Sequence, residues 1–161
     1  AIEWLALQRI GQYLGAPVRF DSLQQAADAM WIMSSSFGPH TAQQWLELSR
    51  HMVRTLPDGG LAMHYDPAIA QAFKAMTPEV SAASAMQLWQ LYDRIHARTL
   101  LLRGAQSDLL SPETAQAMVH RGPMAKLVEF EGVGHAPTLM AQDQVQVVSE
   151  FLLAPEATVA A

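Results

Sequence analysis

The sequence predicts an α/β protein: a helical region over residues 1–96, a βαβα unit over residues 97–154, and a disordered tail at 155–161. Three observations predict it. Apolar residues recur at helical spacing through the first region. Beyond it come two strand-like segments, Thr99-Leu100-Leu101-Leu102 as a continuous apolar run and Lys126-Leu127-Val128-Glu129-Phe130 as an alternating one. A helical segment separates them, which is the order of a parallel crossover unit.

Each element has its own local reason. Trp4, Leu5, Leu7, Ile10 and Leu14 approximate one helical face, which Gly15 and Pro17 end. Ser22 followed by Gln25 has capping-box spacing before Ala26, Ala27, Met30 and Trp31. Thr41 followed by Gln44 repeats it before Trp45, Leu48, Met52 and Val53. Pro57-Asp58-Gly59-Gly60 reads as a turn, and Asp66-Pro67 as a cap and first-turn proline for a short helix through Phe73. Thr77 to Ser84 reads as a looser stretch leading into a helix around Met86, Leu88, Trp89 and Tyr92. No other strand is expected before residue 97. In the second region Ser111 is an N-cap with Pro112 after it, and residues 143–153 form the closing helix.

Composition narrows the function classes. Half of the 161 residues are hydrophobic and 16% are charged, the balance of a globular chain rather than a disordered one. A net charge of -5, with Lys and Arg scattered singly, argues against a nucleic-acid partner. No apolar run is long enough for a membrane span, and the first residues lack the regions of a signal peptide. The absence of cysteine removes disulfide and thiolate chemistry and fits a cytoplasmic location. The chain starts inside an apolar helical pattern, so a truncated or processed start is expected.

The chemistry lies in two loops. Arg103-Gly104-Ala105-Gln106-Ser107-Asp108 follows the first strand, and Gly132-Val133-Gly134-His135-Ala136-Pro137 follows the second. In open α/β sheets ligands sit beyond the carboxyl ends of the strands, which is where Asp108 and His135 would lie. An acid and a histidine there are two members of a nucleophilic triad. Taken alone, His135 reads more readily as a surface loop histidine, and Asp108 has the alternative of a turn residue shaping the loop before Ser111; paired, their order and context favour catalysis. Ser107, beside the acid, reads as a loop residue and not as the nucleophile.

On these residues the chain resembles the C-terminal part of an α/β-hydrolase-fold enzyme. Leu102 to Leu110 is similar to the segment carrying the family's triad acid, and Gly134-His135-Ala136-Pro137 to its histidine loop. The family's chain order is nucleophile, acid, histidine, and Asp108 before His135 satisfies the last two. Arg9-Ile10 through Tyr13-Leu14-Gly15, Phe37-Gly38-Pro39-His40-Thr41 through Trp45, and His64-Tyr65-Asp66-Pro67-Ala68-Ile69 resemble the helical cap that such enzymes insert between core strands. The resemblance implies hydrolysis of an ester or similar small carbonyl substrate without a cofactor. Carbon–carbon, epoxide and haloalkane hydrolysis share the architecture. No Gly-x-Ser-x-Gly elbow occurs in the chain; the Ser34-Ser35-Ser36 run lacks both strand and glycines. The expectation is therefore that the N-terminal half of the core, with the nucleophile, is missing and is the partner this chain needs.

Two parallel strands with two helices make a poor sheet alone, so the βαβα unit is expected to be the edge of a larger one and to self-associate through its exposed edge. Met30, Trp31, Met33, Phe37 and Trp45 are candidates to line the substrate pocket under the cap. His40, His51, His64, His96 and His120 show no H-x-x-x-H spacing, so no metal site is expected. Glu3, Glu47 and Glu79 read as solvated helix faces. The alternative to an enzyme is a non-catalytic helical interaction module derived from a hydrolase.

Overall fold

The computed structural model describes residues 4–155; Glu3 and the tail beyond Pro155 lie outside the described residues. The first region contains α1 (Trp4–Tyr13), β1 (Arg19–Phe20), α2 (Leu23–Ser34), a 3₁₀ turn (Ser35–Phe37), α3 (Ala42–Arg50), β2 (Val53–Thr55), β3 (Leu61–Met63), α4 (Ile69–Lys74) and α5 (Pro78–Tyr92). The second contains β4 (Leu100–Gly104), α6 (Pro112–Val119), β5 (Lys126–Phe130) and α7 (Gln142–Leu153).

Local signals act largely as written. Thr41 and Gln44 close a full capping box on α3. Ser22 accepts from the Gln25 amide, but the Gln25 side chain accepts from the Asp21 amide instead of that of Ser22, so α2 has half a box. Ser111 caps α6 with Pro112 in its first turn, as expected. Gly15 leaves α1 at φ 79°, against Ala70 and the Pro67 carbonyl, where a side chain would be both strained and blocked.

Three expectations need correction. The first region is not free of strands: β1, β3 and β2 form an antiparallel sheet, pairing Phe20 with Leu61 and Val53 with Met63. Val53, assigned to a helix from its spacing, belongs to that sheet, and the Pro57–Gly60 turn joins β2 to β3. Strands of two or three residues are too short to show alternation. Second, Thr77 to Ser84 is no loose stretch. Thr77 caps α5 by accepting from the Val80 amide and Pro78 occupies the first turn, so the residues that looked like a loop open a 15-residue helix. Third, α4 begins at Ile69, because Asp66 Oδ1 accepts from the Ala68 amide and holds residues 66–68 in a turn.

The buried cluster sits in the first region, where Phe20, Ala26, Ala27, Met30 and Trp45 pack together. Trp45 donates its indole N–H to the Ala27 carbonyl at 2.8 Å, joining α3 to α2. In the second region β4 and β5 run parallel, with Leu100 opposite Lys126 and Gly104 opposite Phe130. Leu100, Leu101 and Leu102 are only half-buried there.

Candidate active site

Because β4 and β5 are parallel and in register, their following loops leave the same end of the sheet side by side. The Ala105 amide donates to the Phe130 carbonyl at 2.9 Å, and the Gln106 amide to that of Val133 at 3.0 Å. Gly104 permits the approach: a Cβ there would overlap the carbonyl oxygens of Val133 and Gly134. Arg103 pins the first loop from beneath. Its buried guanidinium pairs with Glu129 at 2.5 Å and donates to the carbonyls of Leu110 at 2.8 Å and Ser107 at 3.4 Å. Ser107 is occupied as a turn residue, its hydroxyl accepting from the Leu110 amide at 3.2 Å.

Asp108 stands exposed in this loop, and Arg9 of α1 reaches it, with Nη1 2.5 Å from Oδ2. The hydrogen bond from Arg9 holds the Asp108 carboxyl below the usual carboxylate range, and the nearby His135 adds a smaller push the same way. His135 lies in the second loop. Partial burial lowers its pKa, opposed by the negative charge of Asp108. Asp108 and His135 thus feel each other's charge, but among the described residues no hydrogen bond joins them, and Oδ2 of the acid is engaged by Arg9.

The far side of the histidine loop rests on the segment between α2 and α3. The Gly134 amide donates to the Ser36 carbonyl at 2.5 Å. His40 donates from Nδ1 to the Gly38 carbonyl and binds the Thr138 hydroxyl through Nε2, both at 2.8 Å.

A cavity of about 830 Å³ opens on His135. Leu7 and Ile10 of α1, Phe73 of α4, and Leu88, Trp89 and Tyr92 of α5 form one side. Leu109, Leu110 and Met118 of the second region form the other, so the space lies between the two regions and is almost wholly apolar. None of Met30, Trp31, Met33, Phe37 and Trp45 lines it. Met30 and Trp45 are buried in the first region's own cluster, Trp31 and Met33 are exposed, and Phe37 ends the 3₁₀ turn. Sequence reasoning missed Arg9, Arg103 and the α5 wall. For α5 a signal existed: Met86, Leu88, Trp89, Leu91 and Tyr92 spread around more than one face, as in a helix with apolar neighbours on two sides. Among the described residues no cluster of three or more His, Asp or Glu side chains could hold a metal, and no helix is long and apolar enough to cross a membrane.

No protein-family model matches the chain. It is 42% identical over 149 residues to the 3-hydroxybutyrate-oligomer hydrolase of Cupriavidus necator, across 91% of this chain and 51% of that protein. Among solved structures it is similar to an α/β hydrolase from Novosphingobium aromaticivorans, with a TM-score of 0.76 at 33% identity over 94% of this chain and 52% of that one. An E-2-(acetamidomethylene)succinate hydrolase aligns with a TM-score of 0.69 at 17% identity, over 95% of this chain and 54% of that one. The chain spans about half the length of the relatives it matches. It has the architecture of part of an α/β-hydrolase fold, a C-terminal portion as the resemblance implied.

Proposed function

We propose that this part of an α/β-hydrolase fold is the cap and C-terminal core of an ester hydrolase, in which Asp108 and His135 serve a nucleophile supplied by core elements outside these residues. One observation carries the reading. Two parallel strands deliver an acid and a histidine to the same sheet end, against an apolar cavity closed on its other side by α1, α4 and α5.

In the reaction His135 takes the proton of a serine hydroxyl as that oxygen attacks the ester carbonyl, and gives it to the departing alcohol. His135 then removes a proton from water as the water oxygen attacks the acyl carbon, and gives that proton to the serine oxygen as the acyl–serine bond breaks and the acid is released. Asp108 holds the imidazole tautomer and stabilises the imidazolium, once its carboxylate is shared between Arg9 and His135. The apolar walls suit a short aliphatic acyl chain. The Cupriavidus relative acts, by its name, on 3-hydroxybutyrate oligomers, and such oligoesters are the substrates we assign to the whole enzyme.

The test is hydrolysis of 3-hydroxybutyrate dimer and trimer by the full-length protein, followed by acid release. Asp108→Asn and His135→Ala should each lower kcat by about 10⁴-fold or more. Because the base must be neutral, kcat/KM should rise with pH through the His135 pKa, with its midpoint below the ordinary histidine value of 6.5. An active full-length enzyme indifferent to both substitutions overturns the assignment.

A further inference from the structure

Arg9 has no part in the triad as drawn, yet among the described residues it makes the ion pair to the Asp108 carboxylate. α1, which carries Arg9, also presents Leu7 and Ile10 to the cavity that opens on His135. The pair is half exposed on both sides, with 57% and 49% of the side chains accessible, so it contributes little to stability. Its consequence is orientation. A carboxylate has two oxygens, and a cation fixed on Oδ2 leaves Oδ1 to accept from an imidazole.

We propose that Arg9 is a positioning residue of the hydrolase: by holding Oδ2 of Asp108 it sets the carboxylate at the mouth of the cavity and presents the other oxygen to His135. This rests on the hydrolase reading above. Because α1 carries both the cation and part of the apolar wall, the acid is set only when α1 is seated on the core. Bringing the wall into place and orienting the acid are then one event.

The same contact tunes the base. His135 feels the charge of Asp108 from the β4 loop, which Arg9 of α1 pairs with, and shares the cavity lining with Tyr92 of α5, while His40 is held on Thr138 of the histidine loop. The guanidinium offsets part of the charge by which Asp108 stabilises the imidazolium. Removing it should make His135 easier to protonate.

The discriminating variants are Arg9→Met and Arg9→Lys in the full-length enzyme. Arg9→Met should lower kcat on 3-hydroxybutyrate dimer roughly tenfold, at a nearly unchanged Tm, because the acid loses its fixed orientation. It should also move the acid limb of kcat/KM to higher pH by a few tenths of a unit. Arg9→Lys keeps the charge without the planar fork, so it should return the limb to its original pH and recover part of kcat. An unmoved limb in Arg9→Met overturns the proposal, whether kcat is unchanged or falls equally in both variants as packing damage would make it. NMR titration of His135 in the intact protein reads the same electrostatics without substrate. An upward shift in Arg9→Met supports the proposal even if no ester is turned over, and an unmoved His135 sinks it even if hydrolysis is robust.

Discussion

The two regions of this chain solve opposite problems. Residues 19–63 bury their own core: α2 and α3 pack over a small antiparallel sheet, and Trp45 is tied to Ala27. The β4–β5 unit leaves its strand leucines half-buried, yet holds its loops by hydrogen bonds on both sides, with Arg103 beneath one and Ser36 and His40 behind the other. An antiparallel sheet can be covered on one face alone, whereas a parallel one needs both. Stability is therefore concentrated in the first region and geometric precision in the second.

Substitutions can break that division or sharpen it. The largest effect on folding should come from Trp45→Ala, at about 3–5 kcal/mol, since it opens a cavity and removes the indole bond that ties α3 to α2. Chemical denaturation of the variant measures it, and a loss below ~1 kcal/mol would show that the first region is not the stable one. Gly104→Ala attacks the second region. A methyl there must push the histidine loop off β4, so full-length activity should drop by about 10²-fold, from displacement of His135. The smallest is Thr41→Ala, which removes the hydroxyl half of the α3 capping box and should cost about 1 kcal/mol without altering activity. A loss of kcat in that variant would mean that the two regions are coupled more tightly than their contacts indicate.

Much of the second region was legible from local signals. Ser111 with Pro112, the apolar Leu100–Leu102 run and the alternating β5 residues each carry their instruction within a few positions, and so place Asp108 and His135 in loops after adjacent strands. The first region was less legible. Its strands span two or three residues, and Thr77, Pro78 and Ser81 are as common in loops as in the first turns of a helix. The cavity wall was missed for a related reason. Met30 and Trp45 are bulky, apolar and well spaced, but those properties mark a core residue as readily as a pocket residue.

The sequence by itself determined the element order of the second region, the caps at Ser22, Thr41 and Ser111, and the chain positions of the acid and the histidine, because these depend on neighbours one to four residues apart. The tertiary structure decided which surfaces meet. It set α1 and α5 against the histidine loop, placed Gly104 under Gly134, and turned Asp108 toward Arg9, 99 positions away in the chain. Contacts at such separation are selected by packing of the whole fold, and no local pattern encodes them.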